Sequence, residues 1–118
     1  TMMLLPAGTK VHLALGHTDM RKGIDGLATM VQEVLREDSF SGHLFAFRGR
    51  NARIIKILFW DGSGLCLFTK RMEHGGFVWP SVHQVGESVT LSHAQLAMLI
   101  EGIDWRRPEQ QWKPRKAG

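Results

Sequence analysis

The stretch LFAFRGRNARIIKILFWDGSGLCLFTKRM, residues 44–72, decides the fold. It holds three apolar runs, at 44–47, 54–60 and 65–68. Each is rich in Ile, Leu and Phe and short enough to be a strand. The second and third are separated by Asp61-Gly62-Ser63-Gly64, turn chemistry with two positions free to take positive φ. The first and second are separated by Arg48-Gly49-Arg50-Asn51-Ala52-Arg53, which can turn through Gly49 and Asn51 but carries three arginines. The stretch therefore reads as an antiparallel meander with one neutral tip and one cationic tip, and with Lys70 and Arg71 at the end of its third strand. Packing does not require arginines at a hairpin tip, so that tip is the first functional clue. In the middle strand Ile55, Ile57 and Phe59 share one face, while Ile54, Lys56, Leu58 and Trp60 share the other. Both faces are largely apolar, so both are expected to be covered.

Working outward toward the N-terminus, residues 10–15 alternate, with Val11, Leu13 and Leu15 on one face of a short strand. His12, on the other face, reads as solvated, and Gly16 ends the strand. Ile24, Leu27, Ala28, Val31, Val34 and Leu35 then fall at helical spacing, which predicts an amphipathic helix near residues 20–36. Thr18 or Asp19 is placed to cap it. That start puts Arg21 and Lys22 in the first turn, where the helix dipole disfavours cations by about 0.3–1 kcal/mol each. It also puts Gly23 and Gly26 inside the helix, at up to ~1 kcal/mol each relative to Ala. Broken local rules of this kind cluster at functional or closely packed places. Two accounts fit: Arg21 pairs with Asp25 while the glycines let the helix lie close on the sheet, or Arg21, Lys22 and free helix N–H groups hold a phosphate.

Toward the C-terminus, residues 73–76 form a turn and Phe77-Val78-Trp79 a short fourth meander strand stopped by Pro80. Residues 81–89 read as a loop or irregular strand. A second helix is marked at residues 92–101: Ser92 and Gln95 have capping-box spacing, Leu91 and Leu96 are placed as a hydrophobic staple, and Gly102 stands at C′ with Ile103 able to pack back. Composition then shifts to a basic, Trp-punctuated tail over residues 105–118 that includes Arg106 and Arg107, with Trp105 anchoring its start. The expected fold class is α+β, an antiparallel β-meander sheet with two packing helices, formed by one domain over residues 1–104 and followed by that tail.

In order along the chain, FRGR, an apolar strand, WDGSGLCLFTKR and FVWP, flanked by GHTDMRKGIDGL and LSHAQLAMLIEGIDWRRP, resemble the TnpB-type accessory protein of the sixty-sixth bacterial insertion-sequence family. The resemblance runs from about residue 5 to residue 108, nearly the whole chain. It implies a small protein encoded beside a larger transposase, assisting transposition. Gly76 departs from the family pattern, in which a basic residue often precedes the Phe-x-Trp-Pro motif.

Composition bounds the function further. The chain has 118 residues, a formal net charge of +4, and 43% hydrophobic and 22% charged residues, ordinary values for one globular domain. Its pI of about 9.7 favours an acidic partner, nucleic acid first. The single Cys66 reads as a buried inert thiol, and one cysteine allows no internal disulfide, which fits a reducing cytoplasm. No apolar run approaches the ~18 residues of a membrane span, and residues 2–5 lack the basic start and length of a signal peptide.

Asp19, Asp25, Asp61 and Asp104 each have a structural use as cap, ion-pair partner, turn or post-helix polar residue. The six histidines lack metal-ligand spacing, and there is no phosphate-loop motif and no helix-turn-helix. The expectation is therefore a protein that is not an enzyme and needs no cofactor or metal. Two functions from different classes remain. One is a DNA-binding accessory that meets transposon ends through Arg48, Arg50, Arg53, Lys70, Arg71, Arg21, Lys22, Arg106 and Arg107. The other is an adaptor that docks on the element's transposase, for which a Trp/Arg-rich tail is equally suited. One basic face spanning hairpin tip and loop favours the first; an apolar groove favours the second.

Overall fold

A computed structural model describes residues 7–81 and 88–106. Seven elements follow in order: β1 (Val11–Ala14), α1 (Ile24–Glu33), β2 (Leu44–Arg48), β3 (Ile54–Trp60), β4 (Leu65–Arg71), β5 (Ser88–Leu91) and α2 (His93–Ile100). They build one α+β fold, a five-stranded sheet in the order β4-β3-β2-β1-β5 with a helix packed on each side. The meander is present as read: Phe45 pairs with Leu58, and Ile57 with Phe68, in antiparallel ladders.

The sheet is nevertheless mixed rather than antiparallel, because β1 runs parallel to β2, with Val11 opposite Leu44. The cause is the connection. A tight hairpin reverses the chain, whereas a crossover that contains a helix returns it in the same direction. The segment at 88–91 is a regular strand, antiparallel to β1 with Val89 opposite Leu13. The expected fourth meander strand, Phe77-Val78-Trp79, makes no ladder. Instead Phe77 and Trp79 lie buried against the sheet. The Trp79 indole N–H donates to the Ala14 carbonyl at 2.8 Å and that of Trp105 to the Val78 carbonyl at 2.7 Å. Side-chain donors thus tie down a segment that Pro80 keeps from pairing.

Both faces of β3 are covered. Ile55 and Ile57 join Val11, Leu13, Leu44 and Ala46 on the α2 side with Leu96 and Leu99, while Leu58, Phe45 and Phe47 pack under Leu27 and Val31 of α1. At α2 the Ser92 hydroxyl accepts from the Gln95 amide and the Gln95 side chain accepts from the Ser92 amide, the reciprocal box. Gly102, at φ +77°, closes the helix with Ile103 N–H on the Met98 carbonyl and Gly102 N–H on that of Leu99. Ile103 does not pack back; it is 46% exposed.

Two further readings change. His12 is buried, not solvated, stacked on Phe45 at 5.1 Å and edge-on to His43. Neither of its ring nitrogens has a hydrogen-bond partner among the described residues, and burial holds its pKa below the ordinary value. Cys66 is half-buried; its thiol is pushed up by desolvation and by the neighbouring Asp61 carboxylate, so it is a poor nucleophile. Among the described residues no helix is long and apolar enough to cross a membrane.

Candidate functional site

Helix α1 begins at Ile24 behind an N-cap at Gly23, and no side chain caps it. Asp19 is used one turn earlier. Its carboxylate accepts the Arg21 amide at 2.9 Å and grips the Arg21 guanidinium through Nε and Nη2, the latter at 2.8 Å. This is the local carboxylate-to-backbone turn that competes with capping. The paired guanidinium holds Asp19 well below the usual carboxylate range. Arg21 therefore pairs with Asp19, not Asp25, and with Lys22 it precedes the helix. The conflict with the helix dipole does not arise.

The same loop is locked to the hairpin between β2 and β3. Thr18, buried, donates its N–H to the Arg48 carbonyl at 2.8 Å. Met20 lies across Gly49, where an added Cβ would come within 2.9 Å of the methionine Cγ. Gly49 is thus needed for close approach, while the positive φ in the turn, +58°, falls on Ala52 instead. Where loop and tip meet, a cleft of about 440 Å³ brings together His17, Asp19, Arg21, Arg50 and Asn51. A second cleft of about 470 Å³ continues beyond Thr18. His17, Thr18 and Arg50 belong to both.

The cations expected at the site divide into three groups. Arg21 and Arg50, 29 positions apart in sequence, share the first cleft and are exposed. Arg53 is exposed at the tip with Nη2 on the Glu73 carbonyl at 3.1 Å, and Arg71, also exposed, stands opposite Ile54 in the ladder beside it. Lys22 is exposed, and its carbonyl accepts from Lys56 Nζ at 2.9 Å. Arg48 departs from the expectation of an exposed tip. It is 8% exposed, and its Nη1 donates to the carbonyls of Gly49 and Arg50, tying the turn together. Lys70 is also committed elsewhere, with Nζ on the Ile100 carbonyl at 2.8 Å, the C-terminal end of α2 where a cation is favoured. Arg106 is paired with Asp104, and Arg107 lies outside the described residues.

Sequence reasoning placed Thr18 as a cap and missed the contacts of Thr18 and Met20 that join loop to tip. It also missed Lys56, although a lone charge inside IIKILFW was visible. Among the described residues no group of three or more His, Cys, Asp or Glu is arranged to hold a metal ion. The Asp61 carboxylate accepts from the amides of Ser63 at 2.9 Å and Gly64 at 3.0 Å, which is turn construction.

Comparison with known proteins agrees with this architecture's sequence motifs. A family profile described as IS66 Orf2 like protein matches residues 9–110. A Sinorhizobium fredii protein named uncharacterized protein y4hO is 50% identical over 117 residues, covering 98% of this chain and all of its own. Another from the same organism, uncharacterized protein y4jC, is 33% identical over 100 residues, 85% of this chain and 84% of its own. No solved structure matches. With the profile spanning most of the chain and a relative aligned along its whole length, the chain belongs to the IS66 Orf2-like family of insertion-sequence accessory proteins.

Proposed function

We propose that the protein is a non-catalytic accessory of transposition that binds DNA through phosphate contacts made by the loop at residues 16–23 and the arginine hairpin. The observation that carries this reading is the interlock of Thr18 with Arg48 and Met20 with Gly49, which sets Arg21 and Arg50 around one cleft. Arg53, Arg71 and Lys22 extend the positive surface, and guanidinium forks suit phosphate oxygens. Such contacts position a protein on DNA without reading bases. Arg48, Lys70 and Arg106 are held by internal partners and Arg21 shares its charge with Asp19, so each contributes less than the sequence alone suggests.

The test is retardation of transposon-end DNA by the purified protein, with and without the element's transposase, at fixed salt. Binding that needs the basic loop supports the reading; retardation only when transposase is present moves the surface to a protein partner. That second reading has one observation in its favour, the exposed Phe40, 52% accessible and edge-on to Trp60 at 5.3 Å. The non-catalytic part is tested separately. With Mg²⁺ or Mn²⁺ the protein should neither nick nor join these DNA ends. Cleavage abolished by Asp61→Asn in a folded variant would overturn it.

A further inference from the structure

The second cleft differs from the first in its walls. Ala14, Leu15, Met30, Val34 and Leu35 make it mainly aliphatic, and Arg48 and Arg50 bring positive charge to it. Arg48 is the unusual member. It is more than nine-tenths buried; among the described residues its Nε has no hydrogen-bond partner, and only Nη1 is bonded, to two carbonyls of its own turn. The two ion pairs found among the described residues are Arg21 with Asp19 and Arg106 with Asp104, so no carboxylate compensates Arg48. Burial accordingly lowers its pKa with no acidic neighbour to oppose the shift. A buried guanidinium without a counter-charge is costly, and an anion from outside the chain would relieve it.

The anion can be narrowed by the surroundings. A free inorganic ion gains nothing from five aliphatic walls, whereas a group with both an anionic and an apolar part gains from both. The cleft has the volume typical of small-molecule sites, of the order of hundreds of cubic ångströms. Through His17, Thr18 and Arg50 it is continuous with the basic cleft assigned above to DNA. We infer that it receives one unpaired nucleotide of a DNA strand whose duplex part lies across the cleft edged by Arg21 and Arg50, the phosphate meeting Arg48 and Arg50 and the base resting against Met30 and Val34. This rests on the DNA-binding reading and deepens it: the protein prefers DNA with an unpaired end over blunt duplex.

The experiment measures affinity by fluorescence anisotropy for a blunt duplex and for the same duplex carrying a short single-stranded overhang, at ~50 mM salt. The expected result is tighter binding of the overhang by about tenfold, the scale of one well-made contact. The ratio of the two affinities is the readout, and a second blunt duplex lengthened to the phosphate count of the overhang DNA serves as its reference, so that the general charge attraction cancels. Arg48→Met, which removes the uncompensated charge, should bring that ratio to one in protein that circular dichroism shows to be folded. Val34→Asp, at a partly buried wall position, should do the same by putting a carboxylate where the base rests. Duplex binding with a ratio of one in the natural chain overturns this inference and leaves the DNA-binding reading standing. No binding of either DNA overturns both. A ratio of one together with binding of a short aliphatic peptide through its free C-terminal carboxylate would hand the cleft to a protein ligand and also overturn it.

Discussion

Gly76 lies so close to Ala52 that a Cβ added to it would stand 2.8 Å from the Ala52 carbonyl oxygen. The amide that follows, Phe77 N–H, donates to that same oxygen at 2.7 Å. Gly76 is therefore where the segment leading to Trp79 touches the arginine hairpin. Gly76→Ala should force backbone apart and cost about 1–3 kcal/mol, as overpacking does. Urea unfolding of the variant checks this; an unchanged midpoint would mean that the hairpin yields freely.

Arg21 and Asp19 form a bidentate pair on the surface, with the Arg21 side chain 91% exposed. Exposed pairs contribute little to stability, and Arg21, ahead of the first turn of α1, has its charge met by Asp19 rather than set against the helix dipole alone. Arg21→Ala should leave the melting temperature nearly unchanged and weaken DNA retardation. A clear loss of stability without loss of binding would make the residue a structural one.

His12 supplies a pH dependence. Its folded-state pKa lies below 6.5, chiefly through burial; His43 and Lys10 lower it further and Glu37 opposes them. Above about pH 6.5 both folded and unfolded chains hold this imidazole neutral, and its contribution to stability is complete. As pH falls below that value the unfolded chain takes up a proton that the folded one resists, so stability is lost progressively toward the lower folded pKa. His12→Leu should lose less stability between about pH 7 and pH 5 than the natural chain. Parallel curves for the two proteins would show that His12 protonates without strain.

The parts of the fold that were legible in sequence are those where local chemistry and burial agree. Ile55 and Ile57 alternate with Lys56 on a strand covered on both sides, and Ser92 with Gln95 announces a helix start. What was not legible depended on partners far along the chain. His12 was read as solvated from alternation in β1 alone, yet its burial comes with Phe45 and His43, brought alongside by parallel pairing. Phe77 and Trp79 carry strand-like side chains, but Trp79 bonds Ala14, which periodicity cannot show. At the site, the spacing from Arg21 to Arg50 held no hint that Thr18 and Met20 would bring them to one cleft. Arg48 looked like Arg50 until the turn carbonyls claimed it.

That difference between neighbouring arginines gives the sharpest prediction for duplex DNA. Arg50 and Arg53 are exposed at the hairpin tip, and planar forked donors there suit phosphate oxygens. Each phosphate neutralised on duplex DNA releases counterions and steepens the fall of log affinity with log salt by about 0.9. The double variant Arg50→Ala with Arg53→Ala should therefore flatten that slope by about 1.8 on blunt duplex. Phosphates carry no base identity, so all sequences should weaken alike. Adding Arg48→Met to the double variant should flatten the slope no further, because Arg48 lines the second cleft, which a blunt duplex leaves empty. Salt titrations of the three proteins, with folding confirmed by circular dichroism, decide the matter. A slope untouched by loss of Arg50 and Arg53 removes the hairpin from the DNA surface, and a transposition defect in that variant would then assign the tip to the transposase.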